Sequence, residues 1–318
     1  MTATEKEKAI YGNTVEIISR GDDCTVYRLS DKTGEIVMTS YTVFSGIKLI
    51  YNDVHIQNCE IDRAVIKNML EINHCHEGRI ECGFKDDFAY LTPGDLTIAK
   101  KDDASHSSYF PLSHYHGITI AIDLESAPDS LSSILADVNV KPAKLVEKYC
   151  GEKCFTSRSN PCIEHIFSEL YSVPEEIRRG YFKVKVLELL LFLSGMKIEN
   201  DETERPHYSP SQVGIAKAVC KHLTEHMDDR ITLAQLSNIF HVSGTQIKNS
   251  FKGVYGVSVY SYIRTQKMQA AGLMLMHSRS TVLEIAGRFG YDNGSKFAAA
   301  FKDVMGMSPN EYRNTANV

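Results

Sequence analysis

Two histidine pairs are the residues in this chain most able to do chemistry. His74 and His76 are one residue apart in "NHCHEG", and so are His114 and His116 in "SHYHG". Alternate residues of a β-strand share a face, so either pair could turn two imidazoles toward one metal ion. Glu81 follows the first pair closely enough to add a carboxylate. Cys150, Cys154 and Cys162 offer a second donor set. Their gaps of three and seven residues do not match a tight zinc knuckle, and they read as plain buried or surface thiols. No complete set of ligands is visible, so no metal and no other cofactor is expected. The histidines are expected to be ordinary strand residues or to line a pocket for an organic ligand.

The elements that must position such residues fall into three groups. From about 13 to 125, short runs such as "GEIVMTSYTVF", "GRIECGF" and "GITIAIDL" alternate apolar and polar residues. They are rich in β-branched residues, bounded by Gly, Pro or Asp, and too short for helices, which suggests an antiparallel barrel or jelly roll. Next, "SNPCIEHIFSELYSV" places Ile163, Ile166, Phe167 and Leu170 on one helical face, with Ser159 or Asn160 as the cap. The following "RRGYFKVKVLELLLFLSGMKI" is apolar beyond the needs of one stripe, so it is a core helix or one that packs on a second copy of itself. "ENDETERPHYSPSQ" is charged and poor in apolar residues, as a linker is. The expected organisation is 1–148 sensing domain, 149–198 helical dimerisation segment, 199–211 linker and 212–318 C-terminal helical domain.

The C-terminal part repeats itself at an offset of 50 residues. Phe251-Lys252 matches Phe301-Lys302, Gly256 matches Gly306, Ser258 matches Ser308 and Tyr262 matches Tyr312. In the first copy Thr232 caps a helix with Leu233, Leu236 and Phe240 inward, and Ser243 caps a second with Ile247 and Phe251 inward. In the second copy Val282, Ile285, Ala286 and Phe289 form the stripe, Gly290 ends that helix, and Asn293 caps the next with Phe297 and Phe301 inward. Helix, tight turn, helix is the arrangement whose second helix enters the major groove of DNA. The stretch "VYSYIRTQKMQAAGLMLM" is expected to be the helix joining the two units.

Net charge is −5, but it is unevenly spread. Residues 213–318 hold 12 Lys and Arg against 7 Asp and Glu; the rest of the chain holds 23 against 33. An anionic partner is therefore expected at the C-terminal end alone. The most apolar run, "VLELLLFLSGM", is shorter than the roughly 20 residues needed to span a bilayer. With no signal-peptide pattern at the start, the chain is expected in the cytoplasm, with no membrane partner.

The C-terminal 100 residues resemble the AraC family of bacterial transcription regulators. The resemblance is carried by "EIAGRFGY", by the "F–F-K" of "KFAAAFK" and by "GMSPNEYR". It implies site-specific binding to double-stranded promoter DNA, contact with RNA polymerase, often activation, and no enzymatic activity. Carried over by position, the base-reading residues are Thr245, Lys248 and Asn249 in the first unit and Ser295, Ala298 and Ala299 in the second. Backbone contacts fall to Gln246, Lys252, Arg264, Lys267, Lys296 and Lys302. Lys can donate to guanine and Asn can pair with adenine, whereas Ala can only rest against a thymine methyl. Lys267 stands where the family usually has Arg. The free N–H groups that open the second recognition helix are expected to hold phosphate.

"NHCHEGRIECGF", "PGD" and His106 resemble the cupin-like sensor domain found before many such modules, although the glycine spacing after Glu81 departs from the cupin motif. The resemblance implies a barrel with a small-molecule effector, with Arg79, Tyr90, His106, Tyr115 and His116 as lining residues. The expected fold class is α+β: a cupin-like antiparallel β-barrel, a helical dimerisation segment, and an all-α domain with two helix-turn-helix units. The expected function is a ligand-responsive homodimeric activator. A regulator controlled by a partner protein or by abundance is the alternative, and a cupin metalloenzyme the remote one.

Overall fold

A computed structural model describes residues 4–62, 68–84, 87–101, 105–128, 131, 140–151, 155–158, 160–198, 206–229 and 231–315. Two compact units make up the chain, Met1–His207 and Tyr208–Val318.

The first unit opens on a short helix not foreseen in the sequence, α1 (Glu5–Tyr11), closed by a reciprocal cap between Thr4 and Glu7. Strands β1 (Glu16–Arg20), β2 (Cys24–Asp31), β3 (Gly34–Phe44), β4 (Ile47–His55), β5 (Asn58–Asp62), β6 (Met69–Gly78), β7 (Ile80–Phe84), β8 (Asp87–Leu91), β9 (Leu96–Lys101), β10 (Ser105–Tyr109), β11 (Tyr115–Asp123) and β12 (Phe155–Ser157) follow. Eight of them form one antiparallel sheet in the order β1-β2-β3-β4-β11-β6-β9-β12, while β5 pairs with β10 and β7 with β8. Among the described residues β1 and β12 end the sheet without pairing to each other, so the cupin-like barrel is seen only as an antiparallel β-region.

Strand alternation divides this unit into two cores. On one face Leu70, Ile72, Ile118, Ile120 and Ile122 belong to a cluster with the helices α2 (Pro142–Tyr149), α3 (Pro161–Leu170) and α4 (Arg178–Gly195). On the other, Tyr27, Leu29, Ile50, Cys75 and Tyr115 cluster with Tyr11 of α1. The face expected of α3 is the one it buries, and Asn160 caps it by accepting from the Cys162 N–H at 2.9 Å. Helix α4 buries Phe182, Val186, Leu189, Leu190 and Leu193, and leaves Val184 and Leu191 exposed.

Among the described residues the elements of the second unit are all helices: α5 (Pro210–Glu225), α6 (Leu233–Phe240), α7 (Gly244–Tyr255), α8 (Val259–His277), α9 (Val282–Arg288), α10 (Gly294–Met305) and α11 (Pro309–Thr315). The α+β class is therefore met by a β-rich unit and a helical one. Met268, Ala271 and Leu275 of α8 share a core with Ile285, Ala286, Phe289, Phe297 and Phe301. Close approach is enforced at Gly253, where a Cβ would stand 2.3 Å from the Tyr208 ring.

Candidate nucleic-acid interface

Helix α7 is oriented by what it buries. Ile247, Ser250, Phe251 and Val254 are inaccessible, at the three- and four-residue spacing of one helical face. The opposite side is therefore forced outward, and Thr245, Gln246, Lys248, Asn249 and Lys252 are all exposed. Ser243 caps the helix by accepting from the Gln246 N–H at 3.1 Å. The turn from α6 needs a left-handed residue, and His241 supplies it at φ 53°. The Ser237 hydroxyl closes the turn by donating to the Val242 carbonyl.

Helix α10 copies that construction with different chemistry. Phe297 and Phe301 are fully buried and Ala300 nearly so. Ser295, Lys296, Ala299 and Lys302 are exposed and Ala298 is half-buried. Asn293 accepts from two N–H groups at once, those of Ser295 at 2.8 Å and Lys296 at 3.1 Å. Two of the free donors expected to hold phosphate are thus already used by the cap. From cap to cap this copy is one residue longer. The offset between copies is 49 at the caps Thr232 and Thr281, and 50 at Ser243 and Asn293, with Gly290 at φ 80° in the lengthened turn.

Two of the expected backbone-contact residues have internal roles. Lys267 donates to the carbonyls of Phe289 at 3.3 Å and Asp229 at 3.4 Å, so it braces α8 to the end of α9 and to the loop after α5. Burial pushes its ammonium below the usual lysine range, against the pull of Asp228 and Asp229. Arg264 lies 2.6 Å from the Asp303 carboxylate and ties α8 to α10. Both side chains are half-buried, whereas Lys252, Lys296 and Lys302 are exposed.

In the first unit, strand alternation sets His116 apart from the other expected pocket residues that are described. Arg79, Tyr90 and Tyr115 are buried. The Arg79 guanidinium lies 5.3 Å from the centre of the Tyr90 ring, and the Tyr90 hydroxyl donates to Glu81 at 2.5 Å. Tyr115 donates to Asn73 at 2.8 Å. Asn73 also accepts from Thr119, and Thr119 accepts from Asn52. His116 is the next residue after Tyr115 and so projects from the opposite face of β11. His106 lies on β10, but its side chain is outside the described residues, as is Cys154.

The His74–His76 pair does share a face, as expected, but that face meets the helices. His74 stacks on Phe167 at 4.1 Å and lies 3.0 Å from the Glu164 carboxylate, and burial lowers its pKa. His76 stacks on Tyr171 at 4.0 Å. Glu81 is engaged by Tyr90 instead. The His114–His116 pair has a neighbour that nothing in the sequence groups with it, His55 of β4. Cys150 is half-buried and Cys162 exposed, both as free thiols.

A helix-turn-helix domain model matches residues 236–315. Over 99 residues the chain is 32% identical to the uncharacterized HTH-type transcriptional regulator YdiP of Escherichia coli K12, covering 31% of this chain and 33% of that protein. It is 24% identical over 156 residues to the arabinose operon regulatory protein of Salmonella typhimurium, covering 48% and 53%. It is also similar to the solved C-terminal domain of AraT, a response regulator from Geobacillus stearothermophilus. That match has 30% identity, covers 32% of this chain and 84% of that one, and has a TM-score of 0.31. These alignments span from a third to about half the length of the curated relatives. The C-terminal two-unit domain of this chain belongs to the AraC family of helix-turn-helix regulators.

Proposed function

We propose that this chain is a site-specific transcription regulator that binds double-stranded promoter DNA through α7 and α10. The observation that carries the reading is the exposed set Thr245, Gln246, Lys248 and Asn249 on a helix whose other face is locked by Ile247 and Phe251. Lys248 and Asn249 supply base readout, and Lys252, Lys296 and Lys302 supply phosphate contacts. No helix of the described residues is long and apolar enough to cross a membrane, which accords with a cytoplasmic regulator.

The first unit is the sensor in this reading, and its role is regulatory rather than enzymatic. The hydrogen-bonded group of Tyr115, Asn73, Thr119 and Asn52, on the face of the sheet that carries α1, supports a pocket for a small polar effector. Val184 and Leu191, exposed on α4, support homodimerisation, which would place two such domains on paired half-sites. Activation through RNA polymerase is the output. The test is selection of fragments from the host genome by the purified full chain. Recovery of a few intergenic fragments, bound with steep salt dependence, is the expected result. Fragments recovered without preference, or none, would overturn it.

A further inference from the structure

Strand pairing assembles a cluster at one end of the sheet from residues far apart in sequence. On β4 and β11, Asp53 pairs with His116 and Val54 with Tyr115, which brings His55 beside His114. Their ring centres are 5.5 Å apart, and those of His114 and His116 are 4.6 Å apart. One nitrogen from each of His55, His114 and His116 lies within 4.8 Å of the others. Asp53 accepts from Nε2 of His55 at 2.8 Å and of His116 at 2.6 Å. From β6, Glu77 approaches to 3.4 Å from Nε2 of His114 and 3.8 Å from Nδ1 of His116.

We propose that His55, His114 and His116 bind one divalent transition-metal ion of the zinc class. Three imidazoles are a donor set for zinc, cobalt or nickel, whereas calcium and magnesium want oxygen. Asp53 holds a proton on Nε2 of two of the rings, which leaves Nδ1 of each neutral ring with its lone pair. A carboxylate in this position is what orients metal-binding histidines elsewhere. Asp53 and Glu77 also offset the charge of the cation. Tetrahedral zinc needs ligand nitrogens about 3.4 Å apart. The three side chains are 54%, 36% and 35% exposed, so small ring rotations can close the gap. The site stands apart from the buried Tyr115 network, because His116 leaves the opposite face of its strand.

The test uses the full chain after chelator treatment, titrated with Co2+ by visible absorption and with Zn2+ by competition against a chromophoric chelator. The expected result is one equivalent of either ion, and a cobalt spectrum with no thiolate charge-transfer band. His55→Ala and His116→Ala should each weaken Zn2+ binding by roughly tenfold or more. His165→Ala, on the exposed side of α3, should leave it unchanged. His55→Gln serves as the second variant if alanine disturbs the strand end, as judged by the thermal melt. No stoichiometric binding, a thiolate band, or affinity indifferent to these substitutions would overturn the proposal. DNA is absent from this readout, so its failure is separate from failure of the regulatory reading.

Discussion

The helix pairs α6–α7 and α9–α10 are two copies of one scaffold with two different outer surfaces. Their second helices are each 12 residues long, capped by Ser243 and Asn293 and ended by Gly256 and Gly306 at φ 77° and 79°. Phe251 and Phe301 occupy the same place and are equally buried. Yet the first helix presents Thr, Gln, Lys and Asn where the second presents Ser, Lys and two alanines. Shared packing with unshared surface means that the inward residues specify the fold and the outward ones are available for recognition. Under the proposed regulatory role, the same contrast predicts a division of labour: hydrogen-bond readout on α7, and phosphate, methyl or shape contact on α10.

The largest expected effect tests the shared half of that comparison. Phe251→Ala and Phe301→Ala should each cost about 3–5 kcal/mol of stability by urea denaturation. A loss at one site several-fold smaller than at the other would show that the scaffolds are not equivalent. The unshared half comes next. Lys248→Ala or Asn249→Ala should weaken binding to a selected site by about 1–3 kcal/mol and relax preference at one or two base pairs. Ala298→Arg should instead change the sequence preferred in the other part of the site. At the caps, Asn293→Ala should lose about 1–2 kcal/mol in thermal melts and Ser243→Ala about 1, because Asn293 accepts twice. The smallest effects sort the cations. Lys252→Gln and Lys302→Gln should each lower the slope of log affinity against log salt by about 0.9. Lys267→Gln should lower stability and leave that slope unchanged; a slope reduced like theirs would bear out Lys267 as a phosphate contact.

What the sequence made legible follows from how local each signal is. The second unit could be read because its caps, glycines and phenylalanines act over three or four residues and occur twice. Helix α3 was legible for the same reason, through Asn160 and its apolar stripe. The role of Lys267 was not, because its acceptors lie 22 and 38 residues away. Neither was the order of the sheet, in which β4, β11 and β6 meet across large sequence gaps. That order brings His55 to the His114–His116 pair and turns His74 and His76 toward α3. The split of Tyr115 from His116 was available from strand alternation alone. The cap on α10 shows the limit of reasoning by residue type: Asn293 was identified as the cap, and the number of N–H groups it would occupy depends on its geometry.

The most direct test of the central claim is a selection from randomised duplexes by the full chain, scored position by position. Base preference should be strong beneath α7 and weak beneath α10, and Asn249→Ala should erase part of the strong half only. Equal preference beneath both helices, or preference unchanged in the variant, would contradict the division of labour between the two units.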